Sequence, residues 1–218
     1  MKTQKTIYHL IVDRSGSMGD CIPATVEGFN GQLAGLRRME EEFPEQGISV
    51  GLTLFNNRVD CLFEGRPVAE CPELGVENYR PEGSTALLDA VGTTILRLEA
   101  EKAKSDRELP TTVVAVILTD GYENASRQFR LSEVKERIAA LSATGQWTFS
   151  FLSENLDAAE VAESMSIRRS NSQTFFKSDM RYQVWDNLNN SMRIYFDKKR
   201  DGEDLGDLFD RKRPRGGE

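Results

Sequence analysis

Residues 112–120, TVVAVILTD, decide how this chain folds. From Thr112 to Thr119 the run is apolar and β-branched with little polar alternation, the pattern of a strand buried on both faces of a parallel sheet. It stops at Asp120, followed by Gly121. Residues 7–13, IYHLIVD, repeat the design: a short apolar run that ends on Asp13 and opens into the loop DRSGSMGD. Between and after these strands, apolar residues recur at helical spacing at Val26, Phe29, Leu33 and Leu36, at Leu88, Val91, Ile95 and Leu98, and at Leu131, Val134, Ile138 and Leu141. Gly145 is placed to end the third of these helices.

The remaining segments complete the pattern. Ile48–Phe55 alternates as a strand, Asn56-Asn57 can form a tight turn with positive φ, and Arg58–Glu64 returns as the second arm of a hairpin. Gly65–Glu82 holds three of the seven prolines and reads as a surface loop. Trp147–Leu152 is a strand, and Asp157–Met165 a short helix with Asp157 and Glu160 as a capping box. Thr174–Phe176 is a short strand, and Met180, Val184, Leu188, Met192 and Tyr195 line a long final helix capped by Ser178. Strands alternating with helices imply an α/β fold with a mostly parallel sheet, to which the hairpin adds one antiparallel edge strand. With 218 residues, the chain can cover both sheet faces with helices. The domain is expected over residues 1–199, with a mixed-charge, disordered tail over 200–218.

Composition narrows the function. The formal net charge of -7 argues against nucleic acid as a partner, because phosphate binding draws on clustered Lys and Arg. The concentrated basic stretch, Arg211, Lys212, Arg213 and Arg215, follows a run of acids and reads as a solvated tail. Three cysteines, Cys21, Cys61 and Cys71, form neither a disulfide framework nor a C-x-x-C zinc site. The N-terminal apolar run is too short for a signal peptide, and no stretch approaches a membrane span. These features point to a reducing cytoplasm.

In an open parallel sheet, ligands bind beyond the carboxyl ends of the strands. Asp13, Ser15 and Ser17 follow the first strand as D-x-S-x-S, Thr85 lies in GSTALLDA ahead of a helix, and Asp120 follows the central strand. Two carboxylates and three hydroxyls offer only oxygen, which suits Mg²⁺ or Mn²⁺ better than zinc or copper. Such a set leaves room for waters and for an acidic group from another molecule. D-x-S-x-S alone is weak, since Asp and Ser commonly cap helices after strands. The three segments together, in this order, are specific.

DRSGS, GSTALLDA and ILTDG resemble the metal-ion-dependent adhesion site of von Willebrand factor type A domains. The resemblance covers roughly residues 5–198. It implies a doubly wound α/β sandwich with one antiparallel edge strand, and a metal held by Asp13, Ser15, Ser17, Thr85 and Asp120. It also implies a protein partner that supplies an Asp or Glu carboxylate, within a cytoplasmic assembly or a stress-response or signalling system. The chain is most similar to compact bacterial, intracellular members. An enzyme is not expected. The alternative, a metal-dependent phosphotransferase or phosphohydrolase, commonly needs a second acid two residues after the first, where this chain has Ser15. No phosphate-cradling G-x-x-x-x-G-K-[ST] occurs. His9, the single histidine, falls within the first strand and reads as a core residue, which disfavours a Ser-His-Asp hydrolase. Tyr122, Glu123, Asn124, Glu154 and Asn155 sit near the same sheet edge, as partner contacts or as ordinary loop residues.

Overall fold

The computed structural model describes residues 2–154 and 157–209. Asn155 and the basic stretch at Arg211–Arg215 lie outside the described residues. Among the described residues, six strands form one sheet in the order β3-β2-β1-β4-β5-β6. They are β1 (Gln4–Asp13), β2 (Gln46–Phe55), β3 (Val59–Pro67), β4 (Thr111–Thr119), β5 (Trp147–Ser153) and β6 (Ser172–Thr174). All neighbours pair in parallel except β2 with β3. The expected doubly wound α/β architecture with one antiparallel edge strand is what the chain forms.

Period-two placement of apolar side chains on β1 builds two cores. Tyr8, Leu10 and Val12 face a layer made by α1 (Ile22–Glu42) and α5 (Asn187–Asp201). Ile7 and Ile11 face α2 (Leu87–Ser105), α3 (Leu131–Ser142) and α4 (Ala158–Ser164). Strands β1 and β4 are buried almost throughout, as their unbroken apolar runs demand. β3 alternates between half-buried and exposed residues, as an edge strand should. Trp147, Trp185 and Cys21 are all core residues.

Several local expectations are corrected. Neither Asn56 nor Asn57 takes positive φ. Asn56 is buried instead, and its Oδ1 accepts the Arg58 N–H at 2.9 Å, so the side chain itself closes the turn. Asp157 does not cap α4, and its carboxylate accepts the Tyr122 hydroxyl at 3.1 Å. The third helix ends at Ser142, and the chain turns through Gly145 at φ +69°. The last short strand is Ser172–Thr174 rather than Thr174–Phe176.

The final helix is not continuous. A 3-10 turn, Lys177–Asp179, leads into a π-helical turn, Arg181–Asp186, before α5 begins, and Ser178 makes no capping bond. The cause is visible in the apolar spacing. Met180, Val184, Leu188 and Met192 recur every fourth residue, which drifts by about 120° around a regular α-helix. A wider i→i+5 turn takes up that drift and keeps all four buried. Beyond Asp201, Leu205–Phe209 folds back rather than trailing into solvent. Leu208 is buried, Thr148 Oγ1 donates to the Leu205 carbonyl at 2.9 Å, and the Leu208 N–H donates to Asn171 Oδ1 at 2.7 Å. Apolar Leu205, Leu208 and Phe209 outweigh the charged residues around them.

Candidate metal centre

The chain leaves β1 toward β2 on one side and returns to β4 on the other, so the carboxyl ends of β1 and β4 form the topological switch point. Asp13 ends β1, and Asp120 follows the last residue of β4. The parallel register pairs Val12 with Leu118, and one residue further on the Thr119 hydroxyl donates to Asp13 Oδ2 at 2.5 Å. Asp13 Oδ1 accepts the Ser15 N–H at 2.6 Å. Ser15 Oγ lies 3.1 Å from Ser17 Oγ, and the Ser17 hydroxyl donates to Asp120 Oδ1 at 2.6 Å. Thr85 closes the group: a β-carbon on Gly121 would stand 3.2 Å from Thr85 Oγ1 and 3.9 Å from Ser17 Oγ. The five side chains singled out by sequence therefore meet at one place, although Thr85 and Asp120 come from segments remote from the first loop.

The loops are fastened by residues that sequence reading did not assign. Asn124 Oδ1 accepts the Thr85 N–H at 2.9 Å, and the Asn124 N–H donates to the Thr85 carbonyl at 3.0 Å. Glu123 accepts four bonds, from the N–H groups of Leu88, Ala125 and Ser126 and from the Ser126 hydroxyl. Asp89 accepts the N–H groups of Arg127, Gln128 and Phe129. Gly83, at φ +75°, accepts the Gly16 N–H at 3.1 Å and ties the first loop to the second. The Tyr79 hydroxyl donates to the Asp13 carbonyl at 2.6 Å. Thus Asn124 holds Thr85 directly and Glu123 ties the start of α2 to the same loop, while Tyr122 stands exposed beside them.

Electrostatically the site is under tension. Burial raises the Asp13 carboxyl above its ordinary value, the bonds from Thr119 and Ser15 oppose that rise, and the nearby Asp120 charge adds to it. The Asp120 side chain is fully buried, and its Oδ2 has no aligned hydrogen-bond donor. The Lys177 ammonium approaches that oxygen at 2.7 Å as an ion pair. Lys177 also donates to the Ser17 carbonyl at 2.9 Å and lies 3.3 Å from Glu154 Oε2. Burial alone would lower the lysine's pKa, but the Asp120 and Glu154 carboxylates outweigh it and hold the ammonium above its usual range. The Cys21 thiol, pushed up to about 11 by burial, stays protonated.

These residues fit a hard divalent cation. Two carboxylates and three hydroxyls converge, an oxygen-only donor set of the kind such an ion prefers. Among the described residues no three His, Cys, Asp or Glu side chains gather as a metal group. Lys177 was missed by sequence reading because a lysine after a short strand carries no local signature.

The von Willebrand factor type A domain model matches residues 9–190. No curated protein is a significant sequence match. Among solved structures, a von Willebrand factor type A protein from Catenulispora acidiphila is 12% identical, with a TM-score of 0.56, over 88% of this chain and 43% of that one. The manganese-loaded TRAP protein of Plasmodium vivax is 15% identical, with a TM-score of 0.55, over 83% of this chain and 72% of that one. Proximal thread matrix protein 1 from the mussel byssus, with a zinc-occupied MIDAS motif, is 14% identical, with a TM-score of 0.52, over 88% of this chain and 46% of that one. This chain spans less than half the length of the Catenulispora and mussel structures. At these identities the likeness is one of fold.

Proposed function

This chain belongs to the von Willebrand factor type A domain family, and from that premise we propose that it is a metal-dependent protein-binding module, with a complete adhesion site that grips an acidic group of a partner. The observation that carries the reading is the convergence of Asp13, Ser15, Ser17, Thr85 and Asp120 at the switch point of the sheet. Mg²⁺ or Mn²⁺, when bound there, supplies a Lewis-acidic position that a partner's Asp or Glu carboxylate can occupy. The manganese-loaded Plasmodium vivax protein and the zinc-occupied mussel motif support a divalent ion.

The chain's own residues do the rest. Ser15, Ser17 and Thr85 present neutral oxygens, so the positive charge an ion would keep for a partner depends on whether one or both of Asp13 and Asp120 bind it directly. Asp13 is held by Thr119 and Ser15, and Asp120 by Ser17. Asn124 holds Thr85 in place beside them, and Glu123 fastens Leu88 at the start of the helix that follows. The reading is of a binding module rather than an enzyme. It is supported by Ser15 standing where a phosphotransferase would place a second acid, and by His9, sealed in the sheet away from any serine of the site. We place the module in a cytoplasmic assembly or a stress-response or signalling system of bacterial, intracellular type, a setting supported by three free cysteines. No helix among the described residues is long and apolar enough to cross a membrane.

Calorimetric titration with Mn²⁺ and with Mg²⁺, on the wild type and on Asp13→Ala and Asp120→Ala, tests the site. Saturable binding lost in both variants is expected. A wild type that takes up no more ion than Asp120→Ala ends the reading. Partner capture from the native cell should then depend on the ion and fail in EDTA.

A further inference from the structure

Lys177 opens the 3-10 turn after β6, far along the chain from the three metal-site loops. Its ammonium nevertheless stands 2.7 Å from Asp120 Oδ2 and donates to the Ser17 carbonyl at 2.9 Å, touching two residues of the candidate metal centre. With Ser17 donating to Oδ1, both oxygens of the buried Asp120 carboxylate are engaged by the protein itself. A second acceptor waits nearby: Glu154 Oε2 lies 3.3 Å from the same ammonium. The Glu154 side chain is 33% exposed and that of Lys177 is 25% exposed, so the lysine can swing between the two carboxylates without opening the core.

We propose that Lys177 is a tethered cation that competes with the divalent ion for Asp120, transferring to Glu154 when the ion binds, and so sets the affinity of the site. The inference rests on the metal reading above. An ammonium and a divalent ion cannot share one carboxylate oxygen at contact distance, because their mutual repulsion in a partly buried site is only weakly screened. Release of the lysine from Oδ2 frees that oxygen for the ion, and relieves the repulsion an ion on Oδ1 would feel from the ammonium. Glu154 makes that release cheap, because the ammonium already pairs with Glu154 and keeps that anionic partner when it leaves Asp120. In this arrangement Lys177 opposes ion binding and Glu154 favours it by accepting Lys177.

Mn²⁺ titration by calorimetry on five full-length proteins tests the inference: wild type, Lys177→Gln, Lys177→Arg, Glu154→Gln and the Lys177→Gln/Glu154→Gln double variant. Thermal unfolding in EDTA verifies that each is folded. Lys177→Gln is expected to bind Mn²⁺ about tenfold more tightly, the equivalent of one modest ion pair removed. Lys177→Arg, which keeps the charge, should stay near the wild type. Glu154→Gln should weaken binding about threefold alone and leave affinity unchanged in the Lys177→Gln background, because its effect runs through the lysine. Lys177→Gln binding no more tightly than a wild type that does bind overturns the inference and leaves the metal reading intact. Glu154→Gln weakening both backgrounds equally overturns the exchange. If the wild type binds no more Mn²⁺ than Asp120→Ala, the metal reading fails and this inference with it.

Discussion

Gly51 of β2 lies beside His9 of β1 in the parallel register, and a β-carbon on Gly51 would stand 2.1 Å from His9 Nδ1. The imidazole fills the space that any other residue at 51 would claim. Its Nε2 is 2.8 Å from Thr53 Oγ1, which also accepts the Thr94 hydroxyl at 3.2 Å, so a small polar cluster is sealed between the sheet and α2.

Gly51→Ala is expected to destabilise the fold by about 1–3 kcal/mol, the usual cost of overpacking a core that cannot yield. Gly31, in α1, would place its β-carbon in open space. There alanine should stabilise by roughly 0.5–1 kcal/mol through helix propensity. Urea unfolding of both variants measures the contrast, and equal effects would contradict the packing at Gly51.

Acid should weaken the fold through His9. Burial, aided by the Arg97 charge, lowers the imidazole pKa from 6.5 to about 3. The unfolded chain takes up the proton first, so this contribution is complete above 6.5 and is lost as pH falls through the window down to about 3. The urea midpoint of the wild type should therefore drop between about pH 7 and about pH 4 by more than that of His9→Gln. Parallel profiles would place the acid sensitivity elsewhere.

Glu123→Gln should affect stability and ion binding together. The carboxylate accepts four donors, and an amide oxygen cannot serve them all. A loss of about 1–3 kcal/mol is expected, with weaker Mn²⁺ binding because the Thr85 loop loses its anchor. Unfolding and titration on the same sample separate the two effects. A destabilised variant with wild-type affinity would show that Glu123 braces the fold without positioning Thr85.

Lys199 carries a pH signature of the same sign, in a more alkaline window, at the far end of the sheet. Its Nζ donates to the Lys5 carbonyl and to Thr6 Oγ1, both at 2.8 Å, and burial lowers its pKa from 10.5 to about 7. Between those values the unfolded chain holds more protons, so stability should rise with pH across that window. Lys199→Met should flatten the melting temperature between about pH 7.5 and about pH 9.5. A slope unchanged by the substitution would assign it to another group.

The sheet was legible because strand and helix periods are local properties. Residues 112–119 could be read as buried on both faces without any knowledge of their neighbours. The loops were legible as a possible oxygen site for a similar reason: D-x-S-x-S places three side chains within one turn. What could not be read locally was the bracing. Asp89 and Glu123 look like ordinary helix and loop acids until the fold brings unpaired N–H groups from another segment to them. The final helix misled because fourfold apolar spacing resembles an α-helix over two turns and departs from it over four.

The sequence by itself determined the α/β class, the antiparallel edge strand and the oxygen-bearing side chains at the ends of β1 and β4, because each follows from short-range pattern and strand order. Only the tertiary structure decided which charges face those oxygens. The turn after β6 carries Lys177 across the end of β5 and sets it between Asp120 and Glu154. That placement depends on strand register and on the turn ahead of α5, and electrostatic contact falls off with distance in space, not with separation along the chain.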